Sequence, residues 1–271
     1  AIDGKGRSAL HYAAEKGLQM VCRVLLKRPT FDSQDARDHL GYTALHLAAR
    51  NGHLEVCKIL LEDARFNAAD VQDNAGCTAL HYACGHGHDA VVWLLLEHRR
   101  FKAHNAIDLQ GSTALHSAAG AGHLTVVKQL KASIKFEDPN VQDRSGATAL
   151  HNAAHNSHAE VCKAILEDPV FVAANFANKD KRTALHFSAY KGGGVEACRA
   201  ILDSTKFTAQ HAKDSMGFTV LHYAALKGHA EICQVLIDHP RFTATGEKDI
   251  NRRTALDLAR GDARRVLLAE L

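Results

Sequence analysis

The sequence predicts an all-α solenoid, a stack of about eight helix-turn-helix units, and three observations carry that prediction. The tetrapeptide Thr43-Ala44-Leu45-His46 returns at Thr78, Thr113, Thr148 and Thr183, each 35 residues on. A turn signal precedes each copy and a helix-ending residue follows it. Apolar residues then recur at helical spacing. A fixed period of this length marks a repeat array, in which one continuous body is built from modules that bury their apolar faces only against neighbours. The series opens with Ser8-Ala9-Leu10-His11, continues with Val220 for Ala at Thr219, and closes with Thr254-Ala255-Leu256-Asp257. One domain over 1–271 is expected, with units starting near Asp3, Asp38, Asp73, Asp108, Asp143, Asn178, Asp214 and Asp249.

Each unit can be justified in order. Asp73 followed three residues later by Gly76 is a β-turn signature. Thr78 sits where a helix N-cap belongs, and His81 falls at the position that reaches back in a capping box. Asp257 is the acidic version of the same motif. A short helix follows and ends at Gly17, Gly52, Gly87, Gly122, Gly192 or Gly228, glycine being the residue that tolerates a left-handed close. A second helix comes next, as at Leu54 to Glu62, where Val56, Cys57, Leu60 and Leu61 form one apolar stripe. Neither helix is long enough to be stable alone.

The string D-x-x-G-x-T-A-L-H-x-A-A-x-x-G-H, complete from Asp38 to His53, closely resembles the ankyrin repeat, with Ala44 where that family usually has Pro. The resemblance covers essentially the whole chain. It implies an antiparallel helix pair per repeat, β-hairpin fingers projecting from the stack, and a concave binding face lined by fingers and first helices. One departure recurs: the unit is two residues longer than the usual 33 or so, in the stretch after the second helix. That stretch carries Phe31, Phe66, Phe101, Phe136, Phe171, Phe207 and Phe242, read as core plugs because an exposed ladder of Phe would be an aggregation-prone patch.

Residues that imitate chemistry dissolve into the template. Of 19 histidines, His11, His46, His81, His116, His151, His186 and His222 are capping residues, and His53, His88, His123, His158 and His229 follow the interhelical loop. The run His81, Cys84, His86, His88 mimics zinc-ligand spacing, but only His86 in it is off-template. Cys22, Cys57, Cys162, Cys198 and Cys233 share one position on the second helix with Val92 and Val127, the mark of a small buried hydrophobe. No phosphate loop, nucleophile elbow or H-E-x-x-H occurs. Lys191-Gly192-Gly193-Gly194 holds a one-residue insertion and reads as a hinge or loose loop. No catalytic residue, metal or cofactor is expected.

The family's variable positions, the finger residues and the two after the Ala-Ala pair, give an uneven surface. Repeats three to five present small, nearly uncharged groups. Repeats six to eight present Lys179, Arg182, Tyr190, Lys191, Met216, Phe218, Leu226, Lys227, Arg252 and Arg253, with Lys181 and Arg252 in the place of the turn glycine. A smaller candidate surface lies at Leu40, Tyr42 and Arg50. Cations around apolar groups fit an acidic protein segment with embedded apolar anchors. A solvated basic face, and an anionic ligand such as nucleic acid or lipid headgroups, remain open beside it, though a net charge of +3 is small for nucleic acid.

The leading function class is a non-catalytic protein–protein interaction scaffold; the alternative is the recognition domain of a larger enzyme or channel. No apolar run approaches the ~20 residues of a membrane span. Seven cysteines with no secretory-type pattern point to reduced thiols and an intracellular, cytoplasmic setting. A monomer, or a subunit of a larger assembly, is expected. The start at Ala1 suggests a piece of a longer protein, and the short last unit suggests a closing cap whose second helix, from Gly261, is about three residues short. Repeat four is expected to be weak, because Gln129 and Lys131 stand where other units have apolar residues, and Ser157 replaces the loop glycine of repeat five.

Overall fold

A computed structural model describes residues 2–270. The chain divides into two compact units, Ala1–Asp138 and Pro139–Leu271. The first unit carries α1 (Ala9–Glu15), α2 (Gln19–Lys27), α3 (Ala44–Arg50), α4 (Leu54–Glu62), α5 (Ala79–Gly85), α6 (Asp89–Glu97), α7 (Ala114–Ala121) and α8 (Leu124–Ala132). The second carries α9 (Ala149–His155), α10 (Ala159–Leu166), α11 (Ala184–Ser188), α12 (Val195–Asp203), α13 (Val220–Lys227), α14 (Ala230–Asp238), α15 (Ala255–Leu258) and α16 (Gly261–Glu270). Within each unit odd-numbered helices pack on odd and even on even, giving two layers with the core between them. The fold is an all-α repeat stack.

The fingers differ from the hairpins expected. Among the described residues there is no strand, only the isolated bridges Ile2–Ser8 and Ala177–Thr183. Each finger is a tight turn built on one acidic or amide side chain. Asp73 Oδ1 accepts from the N–H groups of Ala75 (2.8 Å) and Cys77 (2.9 Å), while Asp73 N–H donates to Cys77 O at 2.9 Å. So many donors converge on one carboxylate oxygen that the turn closes without a ladder of strand pairs. One backbone hydrogen bond then links finger to finger, as in Asn74 N to Leu40 O (3.0 Å) and Ser215 N to Asp180 O (2.9 Å).

The capping histidines join successive repeats. His46 Nδ1 accepts from Thr43 N–H at 3.1 Å and lies 2.8 Å from Thr43 Oγ1, while its Nε2 lies 3.1 Å from Cys77 O in the next finger. Those partners fix the neutral tautomer with the proton on Nε2. The loop histidines reach the other way: the Nε2 atoms of His53, His88 and His123 meet the carbonyls of Glu15, Arg50 and Gly85 at 3.0, 2.9 and 3.2 Å.

The stretch after each second helix is a third seam. Phe66, Phe101, Phe171 and Phe207 are fully buried, Phe136 and Phe242 nearly so, and Phe31 is half-buried. The residue before the Phe is often basic, and its side chain crosses to the preceding repeat. Arg100 donates to the carbonyls of Leu61, Asp63 and Phe66, Arg241 to those of Leu202, Ser204 and Phe207, and Lys135 to Leu96 O at 2.6 Å. A cation thus meets the unpaired carbonyls at a helix C-terminus. Asp35, Asp70, Asn140 and Asn175 bracket two successive N–H groups of the next repeat in the same stretch. The two extra residues per repeat are therefore hydrogen-bonded structure, not slack.

Two expectations about the loops need correction. Gly194 is no loose hinge: a Cβ there would lie 1.8 Å from Ser188 O, so only glycine lets the chain pass under the end of α11. The insertion also shortens α11 to five residues. It leaves His229 Nε2 buried without a partner, where its equivalents meet a loop carbonyl. In the last unit the shortening falls on α15, of four residues, while α16 runs for ten. Arg264 and Arg265 on it are exposed. In repeat four, Gln129 Oε1 is buried with no hydrogen-bond partner, consistent with a weaker second helix there.

Candidate protein-binding surface

The fingers and first helices of the second unit carry most of the predicted surface, and position within the repeat decides which residues face out. Lys179, Lys191, Lys227 and Arg252 are exposed, as are Tyr190 (44%) and Met216 (46%); Leu226 is half-buried. Lys181 and Arg252 hold φ of 61°, the left-handed region that glycine occupies at Gly6, Gly41, Gly76, Gly111, Gly146 and Gly217. Ser157, with φ 63° in the interhelical loop, is the third non-glycine residue so strained among the described residues. Each costs about 1–2 kcal/mol relative to a right-handed residue.

Arg182, Phe218, Arg253 and Tyr42 behave differently, because all four are the residue just before the helix cap and each finds a partner within the fold. Arg182 and Tyr42 reach the next repeat, while Phe218 and Arg253 turn onto their own. Arg182 Nε meets Asp214 of the next finger at 3.2 Å and its Nη1 lies 3.5 Å from Asp180, just as Arg7 meets Asp38 at 3.2 Å. Phe218, expected to face a partner, is buried: its ring stacks on His222 at 5.4 Å and meets Tyr223 edge-on at 5.3 Å. Arg253 turns back on its own Asp249 at 2.7 Å. Tyr42 Oη lies 3.0 Å from Tyr82 Oη, which donates to Asp73 at 2.6 Å. The charge on Arg182 and Arg253 is therefore matched within the fold, and the basic surface is narrower than composition suggests. In the first unit Leu40 stays 59% exposed and Arg50 is exposed.

Phe187 and Tyr223, which the sequence reading did not single out, join Arg182 and Tyr190 to complete the surface. His155, Arg182, His186, Phe187, Tyr190 and Tyr223 line a cavity of 240 Å³ on the first-helix side. Phe187 meets His151 and His155 edge-on at 5.5 and 5.7 Å, and Tyr190 lies 6.0 Å from His155 and 6.3 Å from Tyr223. Lys227 Nζ sits 4.3 Å above the Tyr190 ring, Arg182 5.3 Å from the Tyr223 ring, and Lys191 Nζ 2.8 Å from Asn156 Oδ1. Burial, with Lys191 nearby, holds the His155 pKa below the ordinary imidazole value. The signal was present in the repeat: these rings come from the fourth and seventh residues after the cap, where repeat four has Ser117 and Gly120. A larger cavity of 440 Å³, bounded by Lys163, Glu167, Asp203 and Lys206, has an equivalent of 360 Å³ at Glu62 and Arg99 and is a groove of the template.

The zinc-like run does not form a site. Both nitrogens of His81 are engaged, by Thr78 and by Ser112 O, and His88 is held by Arg50 O. Burial pushes the Cys84 thiol far up, away from the thiolate a metal needs. Among the described residues no group of three His, Cys, Asp or Glu side chains converges. All seven cysteines are free, with Cys22 pushed up to about 11 and Cys162, Cys198 and Cys233 to about 12 by burial. No helix of the described residues is long and apolar enough to cross a membrane.

Comparison with curated proteins gave no match. The family model for ankyrin repeats in three copies matches residues 1–70, 64–138 and 130–211, and that for the single ankyrin repeat matches 216–246. Ankyrin repeats are in general protein–protein interaction modules, and proteins built of them are typically non-catalytic. With most of its length covered by these matches, the chain belongs to the ankyrin-repeat family.

Proposed function

We propose that this chain is a non-catalytic scaffold that binds an acidic protein segment on the finger and first-helix side of repeats six to eight. The observation that carries the reading is the pair Lys181 and Arg252. Both keep a long cationic side chain in a left-handed turn where six other fingers use glycine. Strain of that kind persists where a side chain is needed for something other than the fold. Lys179, Lys191 and Lys227 add exposed positive charge between the same fingers and helices, and Tyr190 and Met216 add exposed apolar surface. Acidic partners would be steered by the cations and held by the apolar groups. Seven cysteines, none paired among the described residues, support action inside the cell, in the cytoplasm, and the chain works alone or as part of a larger assembly.

The test is a double variant, Lys181→Gly with Arg252→Gly. It removes two charges and also relieves two strained turns, so lost binding cannot be blamed on unfolding. Quantitative affinity capture with the wild-type chain and this variant should recover the same acidic partners in sharply lower yield from the variant. Equal recovery by both chains would defeat the reading.

A further inference from the structure

The cavity between His155, Phe187, Tyr190 and Tyr223 says more about the partner than the charges do, and it rests on the function just proposed. Its walls are aromatic faces with one guanidinium, and its 240 Å³ is below the ~300–1,000 Å³ of small-molecule sites. That size suits one large side chain. From this cavity and its rim we infer that repeats five to seven seat a single aromatic or large aliphatic side chain of the partner. A carboxylate one or two residues away on the same segment lies on Lys191 and Lys227.

Two other occupants fit less well. An aromatic-walled pocket can hold a cation, but the chain already places its own cations on these rings. Lys227 Nζ is 4.3 Å from the Tyr190 centroid and Arg182 is 5.3 Å from that of Tyr223. Burial, and after it the charge of Lys191, lowers the His155 pKa, and a further cation would meet that same lysine. A bare anion fits poorly for the opposite reason. Arg182 is engaged by Asp214 and Asp180, and its plane serves as wall rather than as donor. Tyr223 Oη is spent on Asp214 at 2.6 Å. What is left lining the cavity is mostly apolar ring surface, with His155 keeping a buried Nδ1 that has no hydrogen-bond partner, and what is left at its rim is ammonium.

The wall is also unlike that of neighbouring repeats. The fourth and seventh residues after the cap are Phe187 and Tyr190 in repeat six, and Tyr223 and Leu226 in repeat seven, with His155 leading from repeat five. In repeats three and four the seventh residue is Gly85 and then Gly120. Large rings at consecutive equivalent positions are what close the sides of a pocket in a stacked array. Tyr190, 44% exposed, is the wall that can be removed without opening the core.

A peptide selection on the intact 271-residue chain tests this. A displayed library of random 16-residue peptides is panned on the wild type, and enriched peptides are titrated by fluorescence anisotropy against wild type, Tyr190→Ala, Lys227→Glu and Lys181→Gly/Arg252→Gly. Enriched peptides should share one aromatic or large aliphatic residue with Asp or Glu within two positions. Changing that residue to Ala, or Tyr190 to Ala in the chain, should weaken binding at least 10-fold. Lys227→Glu should weaken it and flatten its salt dependence. If peptides lose affinity with the glycine double variant but not with Tyr190→Ala, the basic fingers bind and the pocket proposal falls alone. Enrichment of basic peptides, or of none with the anchor, overturns it as well. Peptides indifferent to every variant would sink both it and the proposed function. Circular dichroism melts of each variant against wild type keep lost binding separate from lost fold.

Discussion

Lowering pH from 7.5 to 5 should destabilise this protein by several kcal/mol, and the loss should come from the capping histidines. In the boxes of His46, His81, His186 and His222 the Nδ1 lone pair accepts from the Thr N–H while Nε2–H donates to the next finger, as for His186 with Thr183 (3.1 Å) and Phe218 O (3.1 Å). A second proton would have to go on Nδ1, setting two donors face to face. Burial pushes the pKa of His46 and His186 from 6.5 down to about 4, and it lowers those of His11, His81 and His222 as well.

The sign follows from linkage. The unfolded chain takes up these protons as pH falls through 6.5, the fold only near 4, so the unfolded state binds more protons in between. Stability is full above about 6.5 and is lost as pH falls towards 4. At pH 5 each such histidine removes about 2 kcal/mol, so His46 and His186 together remove about 4 kcal/mol, and the other three add to it. Carboxylates contribute little there, since their ordinary values lie near 4. Urea denaturation at both pH values, read through the slope and midpoint, measures the difference. The chain also holds its own control, because Asp257 takes the histidine's place in α15. Hydrogen exchange corrected for intrinsic rate should lose protection at α3 and α11 and not gain an extra loss at α15. Equal stability at pH 7.5 and 5 would refute the assignment of neutral, buried histidines to these boxes.

Other perturbations separate fold from function. Lys181→Gly and Arg252→Gly should each stabilise by about 1 kcal/mol, the left-handed cost less the extra freedom glycine gives the unfolded chain; a lower melting temperature would show that these side chains hold the turns. Gly194→Ala should melt much lower than wild type, whereas Gly193→Ala, whose Cβ would meet nothing closer than 3.7 Å, should be tolerated; similar melts would discount the close approach at Ser188. Phe101→Ala should cost about 3–5 kcal/mol, and a loss below 1 would mean the ring is no plug. Gln129→Leu should raise the stability of repeat four by about 1–3 kcal/mol by removing an unpaired buried oxygen, read as slower exchange in α8.

How much of this could be read from the chain depends on which contacts repeat. Caps, turns, loop histidines and the buried cysteines were legible because each is set by its own unit and recurs with the period. The basic residues before five of the seven Phe, at Arg65, Arg100, Lys135, Lys206 and Arg241, follow the same period, but their meaning needs the carbonyls of the repeat behind them. Nothing local says that Arg100 ends at Leu61 O. The same limit covers Tyr42 and Arg182, which spend themselves on the next repeat. Phe218 differs: its type suggested an exposed anchor, yet its ring packs on His222 and Tyr223 of its own helix.

That distinction sorts the surface. Cations before a cap, such as Arg182 and Arg253, are matched by the carboxylates of Asp214 and Asp249, which burial and hydrogen bonds hold in the stack. Cations at the left-handed turn and at the helix ends have no such carboxylate assigned to them by the repeat, and their charge is left for solvent or a partner. A partner that reads charge alone should therefore lose affinity with Lys181 and Arg252 and ignore Arg182. A scan reversing these three charges one at a time, with binding of an acidic peptide that carries no aromatic or large aliphatic residue as readout, distinguishes the two classes. If Arg182→Glu weakened binding while the fold held, its pairing with Asp214 would not be what occupies it.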